Sequence, residues 1–170
     1  VTAYVALLRA VNVGGTGKLA MSDLAAMCVK AGFAGVKTYI ASGNVVFTSA
    51  KSEASVKAAL ETALAAYAGK PVGVMVRTAD EIAAVAKANP FPEAPGNRLV
   101  VIFLDNAPSP DALSGARNVA DEKMRLGKRE IYVRYSDGMA DSRLIIPAAK
   151  SGTGRNMNTV VKLAAMAAAL

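Results

Sequence analysis

The chain has 170 residues, 53% of them hydrophobic and 19% charged, with a net charge of +7, no histidine and a single cysteine, Cys28. These counts exclude a Ser-His-Asp or Cys-His nucleophile system, a histidine proton shuttle, a Cys/His zinc site and an internal disulfide. Lysine, carboxylate, tyrosine or metal-assisted catalysis stays open, but no spacing signals any of them, so no catalytic residue, metal site or cofactor is assigned.

The apolar content suffices for one compact domain or two small ones, and Cys28 falls among apolar residues on a predicted helix, which favours a core thiol and a reducing, cytoplasmic location. No basic start followed by an apolar stretch and cleavage site is seen. The longest apolar runs fall short of the roughly 20 residues that span a bilayer, so no membrane association is expected. A pI near 9.7 points to a polyanion, a nucleotide or an acidic surface as partner. The charge is uneven: residues 1–78 carry +5 and residues 79–170 carry +2, and the stretch from Ser142 to Leu170 holds Arg143, Lys150, Arg155 and Lys162 without an acid.

In chain order, Val5 to Arg9 reads as a buried strand that leaves through a wide turn at Gly14, Gly15 and Gly17. Ser22 is the expected N-cap of the next helix, with Leu24, Met27 and Cys28 on one face. Val36 to Ile40 and Val45 to Phe47 are predicted strands joined by Ser42-Gly43-Asn44, the composition of a hairpin turn. A longer helix then carries the apolar stripe Val56, Leu60, Leu64 and Tyr67, with Lys57 and Glu61 spaced to pair, and ends at Gly69. Val72 to Val76 supplies a further strand, so the first half reads βαββαβ, a split-βαβ plait.

Thr78 and Glu81 have capping-box spacing for a helix from Ala79 to Ala88, and the Pro-rich stretch from Asn89 to Gly96 reads as a linker. Leu99 to Leu104 opens a second strand set. Ser109-Pro110 is expected to start a short helix, and Gly127-Lys128 to turn between Met124-Leu126 and Ile131-Val133. After Tyr135 the pattern weakens, Pro147 breaks any helix begun at Ser142, and no strand-like run is seen to complete a second plait. A terminal helix begins near Asn156 to Asn158. The expected fold is therefore α+β: two ferredoxin-like (α/β-plait) units, the second incomplete, plus a C-terminal helix. The expected domains are 1–78, a connecting helix and linker at 79–97, and 98–170.

Three polar clusters interrupt the apolar pattern at element ends. The first holds Arg9, Asn12, Gly14, Gly15 and Lys18, the second Ser42, Gly43 and Asn44, and the third Arg155, Asn156 and Asn158, followed by Lys162. A guanidinium at a strand end can hold a carboxylate or phosphate at two points, and glycines expose backbone N–H groups. The run Gly14-Gly-Thr-Gly-Lys18 is not a P-loop, because Asn12 and Leu19 stand where that motif needs glycine and Ser/Thr. Asn156 and Asn158 at a helix start suit either an anion or capping, and Asn44 after Gly43 suits a turn. Tyr4 and Phe47 are the only aromatics placed for base stacking on the central strands, and both read more readily as core.

Tyr4-Val-Ala-Leu-Leu-Arg9 through Asn12-Val-Gly-Gly15, Thr38-Tyr-Ile-Ala-Ser-Gly-Asn-Val-Val-Phe47 and Arg155-Asn-Met-Asn-Thr-Val160 resemble, in this order and over nearly the whole chain, the bacterial domain of unknown function 1697 family. The resemblance implies two α/β-plait units in one cytosolic protein and no established activity. Its motif positions fall here on Arg9, Asn12, Gly14, Gly15, Ser42, Gly43, Asn44, Arg155, Asn156, Asn158, Thr159 and Lys162. The chain departs from the pattern at Met157, where the family commonly has tryptophan, and is shortened between Ile145 and Thr153. The leading expectation is a small-anion or nucleotide site gathering the three clusters. The alternatives are a basic nucleic-acid-binding module and a self-associating structural protein that forms a homodimer.

Overall fold

The computed structural model of the chain describes residues 1–13, 15, 17–136 and 139–170, which divide into two compact units, Val1–Ala83 with Leu163–Leu170, and Ala84–Lys162. The first contains β1 (Thr2–Leu8), α1 (Met21–Lys30), β2 (Ala34–Thr38), β3 (Asn44–Ser49), α2 (Glu53–Ala68) and β4 (Val74–Thr78). Its antiparallel sheet has the order β2-β3-β1-β4, that of the expected plait. Alternation of the strands sends Tyr4, Ala6, Leu8, Val45, Phe47, Val74 and Val76 to one face, where they form a core with Leu24 and Cys28 of α1 and Val56, Leu60 and Leu64 of α2. Tyr4 and Phe47 are therefore core residues. Phe47 stacks on Phe33 at a centroid distance of 4.3 Å, and the Tyr4 hydroxyl donates to Lys51 O. Cys28 is fully buried, and burial pushes its thiol up to about 12.

In the first half and the helix after it, local signals are realised with one exception. Lys57 and Glu61 pair at 3.0 Å, and α2 ends at Gly69. Thr78 N–H donates to Glu81 Oε1 and Glu81 N–H to Thr78 Oγ1, completing the capping box that starts α3 (Ala79–Lys87). Ser22, however, is not the N-cap of α1: the helix starts two residues earlier than that cap would place it, Ala20 occupies the cap position, and no side chain caps it.

The second unit contains β5 (Leu99–Phe103), β6 (Lys123–Leu126), β7 (Glu130–Arg134) and β8 (Thr153–Asn156), in the sheet order β6-β7-β5-β8. That order repeats the first sheet strand for strand. The expectation that no strand follows Tyr135 is corrected by β8, which pairs Arg155 with Val101 and Thr153 with Phe103. Thr-Gly-Arg-Asn lacks apolar alternation, so its strand character comes from pairing with β5. Among the described residues, the second plait has no α-helix at the two positions equivalent to α1 and α2. Short 3-10 turns at Ala112–Gly115 and Pro147–Ala149 stand where the first plait has α1 and α2, and Ser109-Pro110 opens a turn closed by Ala112 N–H to Ser109 O instead of a helix. These turns still cover an apolar face: Leu113, Ala116 and Ala149 pack against Leu104, Ile131, Val133 and Ile146. The terminal helix is α4 (Met157–Ala168).

Candidate functional site

The first unit holds a cleft of about 540 Å³, and the chain builds it by turning sharply where β1 ends. Arg9 N–H donates to Gly73 O at 2.9 Å, which ties the strand end to the segment entering β4. The chain then passes through Ala10 and Asn12, both in the left-handed region at φ +57 and +53. Asn12 tolerates this conformation better than most residues, and its side chain adds a reason for it. Its Nδ2 donates to Leu19 O and to Ala41 O, each at 2.8 Å, while its Oδ1 accepts from Leu19 N–H at 2.8 Å. Asn12 N–H also donates to Gly17 O. A Cβ on Gly17 would stand 2.7 Å from Ala10 O, so only glycine closes the loop this tightly. Leu19 is thereby fixed in the core, and Lys18 beside it is held outward on the cleft rim.

Arg9, Lys18 and Lys70 all line the cleft, together with Val11, Leu64, Tyr67, Pro71 and Val72, and no carboxylate does among the described residues. Lys18 and Lys70 engage no side-chain partner among the described residues. The Tyr67 hydroxyl donates to Asp23 Oδ2 at 2.9 Å, which steadies the ring at the cleft wall, occupies that carboxylate, and raises the phenol above its ordinary value. Helix α2 ends at the cleft with its carbonyl pole, a field adverse to anions worth about 0.3–1 kcal/mol. Three cations outweigh it.

The predicted site residues separate. Arg9 and Lys18 meet in the cleft, Gly15 lies exposed on the same loop, and Gly14 lies outside the described residues. The Ser42-Gly43-Asn44 turn is joined to this loop through the bond from Asn12 to Ala41 O, but it supports the loop from below and does not line the cleft. A Cβ on Gly43 would come within 2.7 Å of Val11 Cγ2 and 2.8 Å of Leu8 Cβ. Asn44 is buried, and its Nδ2 donates to Tyr39 O and Ser42 Oγ, both at 2.9 Å. Asn12 thus uses its amide to bind backbone, and Asn44 binds backbone and the Ser42 hydroxyl.

Arg155, Asn156, Asn158 and Lys162 belong to the second unit. Arg155 lies on β8, only 8% exposed, and its Nη1 donates to Thr153 Oγ1 at 3.1 Å and Gly154 O at 2.9 Å. Burial lowers it to about 10. Asn156 caps α4, its Oδ1 accepting from Thr159 N–H at 2.9 Å. Asn158 lies against Gly96, and Lys162 is exposed on α4. Lys70 and Tyr67 escaped sequence reading. The one available signal was a lysine and a proline directly after the helix-ending Gly69.

The family model described as "Protein of unknown function (DUF1697)" matches residues 1–132. Among solved structures, conserved bacterial protein SP0830 from Streptococcus pneumoniae is similar over 98% of each chain, at 24% identity and a TM-score of 0.80, a likeness that shows the fold. No curated protein matches the sequence. No helix among the described residues is long and apolar enough to cross a membrane.

Proposed function

The chain belongs to the DUF1697 family of proteins of unknown function, and we propose that the cleft of its first unit binds a small phosphorylated metabolite or nucleotide. The observation that carries this reading is the convergence of Arg9, Lys18 and Lys70 on one concave surface without an acid among its described lining residues. Like charges gathered this way repel one another, and a phosphate dianion relieves that repulsion while offering acceptors to a guanidinium fork and two ammonium groups. The volume lies within the range of small-molecule sites, and Tyr67, Leu64, Pro71 and Val72 supply an apolar wall for the body that carries the phosphate.

The nucleic-acid reading has less support, because Tyr4 and Phe47 belong to the core and leave no stacking platform on the first sheet. Self-association through an open sheet face has less support too, since Val5, Leu7, Val46 and Met75 on the opposite face are also buried. A thermal-shift screen of nucleotides and sugar phosphates tests the proposal. At least one should raise the melting temperature of the parent protein and not that of a Lys18→Ala/Lys70→Ala variant. Equal shifts in both proteins would refute it.

A further inference from the structure

Lys123 on β6 is the direct cross-strand partner of Arg134 on β7. Directly opposed residues of an antiparallel pair project from the same face with Cβ atoms about 5 Å apart, and like charges so placed destabilise the pairing. A third cation joins them. Arg98 immediately precedes β5, whose Leu99 is the other neighbour of Arg134. Arg98 Nη1 donates to Ser136 O at 2.6 Å, and Arg134 Nη2 donates to Ser136 Oγ at 3.3 Å. Two guanidinium groups therefore converge on one serine, with Lys123 facing one of them.

Among the described residues no carboxylate pairs with Arg98, Lys123 or Arg134, although Asp121, Glu122 and Asp141 line a pocket beside Ser136. The Glu122 carboxylate accepts instead from Ser142 Oγ and Ala120 N–H. Asp121 joins the cluster only through its carbonyl, which accepts from Ser136 Oγ at 3.4 Å. Arg134 Nε is buried without a hydrogen-bond partner, a further donor left unsatisfied by the fold. Protection of an edge strand accounts for a charge on β6, as at the exposed Arg125. It does not account for setting one cation opposite a second and drawing in a third.

We propose that Arg98, Lys123 and Arg134 form a phosphate-binding site around Ser136, separate from the cleft of the first unit. The chemistry selects phosphate over a carboxylate because one carboxylate satisfies one guanidinium fork, whereas a tetrahedral dianion presents oxygens to all three cations at once. Lys123 and Arg98 are exposed and Arg134 is half-buried, so the site is open to a ligand.

The test uses inorganic phosphate on the full chain in the Lys18→Ala/Lys70→Ala background, against sodium chloride matched for ionic strength, so that its outcome is independent of the cleft. Phosphate should move the amide resonances of Lys123, Arg134 and Ser136, and Arg98→Gln and Lys123→Gln should each abolish the movement. The Lys123→Gln variant should also melt about 1–3 °C higher without phosphate, since it removes an unrelieved repulsion. Absence of any phosphate response at these three amides overturns the proposal, whatever the stability of the variants. So does a Lys123→Gln protein that melts lower than its parent and responds to phosphate unchanged.

Discussion

Arg77 on β4 and Arg155 on β8 hold the same place in the two plaits. Arg77 pairs with Val5 of β1, and Arg155 pairs with Val101 of β5. The correspondence is fixed by equivalent hydrogen bonds, Leu8 N–H to Gly43 O in one sheet and Leu104 N–H to Arg129 O in the other, each three residues beyond the paired valine. Both arginines are buried, at 1% and 8% exposure, and each Nη1 donates to the carbonyl just before it, Val76 O and Gly154 O. A buried arginine whose guanidinium donates to the carbonyl just before it is thus a repeated element of the fold.

Arg77→Ala and Arg155→Ala should therefore each cost about 2–4 kcal/mol, from lost packing and stranded acceptors. Arg9→Ala, at an exposed cleft position, should stay within about 0.5 kcal/mol of the parent. Urea unfolding of the three variants checks the ordering. Similar losses for Arg9 and Arg155 would mean that both are fold determinants.

The loop that presents Lys18 depends on Asn12 and on the glycine beneath it. Asn12→Gly keeps the left-handed backbone but removes three side-chain bonds, and should cost about 1–3 kcal/mol. Gly43→Ala should cost a similar amount or more, because its φ of +92 and the close Leu8 and Val11 atoms both resist a Cβ. Faster amide exchange at position 12 and at Leu19 in both variants, measured by NMR, is the expected local signature. A variant with parent-like exchange and stability would show that the loop is held by other contacts.

Alkali should unfold the protein through its buried acids. The Cys28 thiol is moved by burial from its ordinary 9.0 to about 12, and the Tyr132 phenol from 10.0 to about 12 by burial, with Glu130 nearby adding to it. Between those values the unfolded chain releases a proton that the native state keeps, so stability falls as pH rises, by roughly 1.4 kcal/mol per pH unit for each group. Urea unfolding at pH 8, 9, 10 and 11 should show the decline beginning near pH 9, with a shallower slope in Cys28→Ala. Identical slopes in the two proteins would contradict the burial of that thiol.

Most of the first plait was legible because its signals are local: the apolar stripe of α2, the capping box of Thr78 and Glu81, and the hairpin glycine each act within a few residues. β8 was not legible, since Thr153 to Asn156 becomes a strand only by pairing with β5, some fifty residues earlier. The site was legible by halves. Arg9 and Lys18 stood out beside glycines, whereas Tyr67 and Lys70 reach the cleft only because Arg9 N–H closes on Gly73 O. Polar residues at loop ends marked where the chain turns, but not that Asn12, Asn44 and Asn156 would bind backbone.

The most direct measurement is a titration of the isotope-labelled protein with ADP and with ribose 5-phosphate at constant ionic strength, following amide resonances by NMR. Saturable movement of Gly17, Lys18, Tyr67 and Gly73 by at least one of the two, lost in the Lys18→Ala/Lys70→Ala variant, is the result that anion binding in the cleft predicts. Resonances of the cleft that stay fixed at millimolar concentrations of both ligands would contradict it.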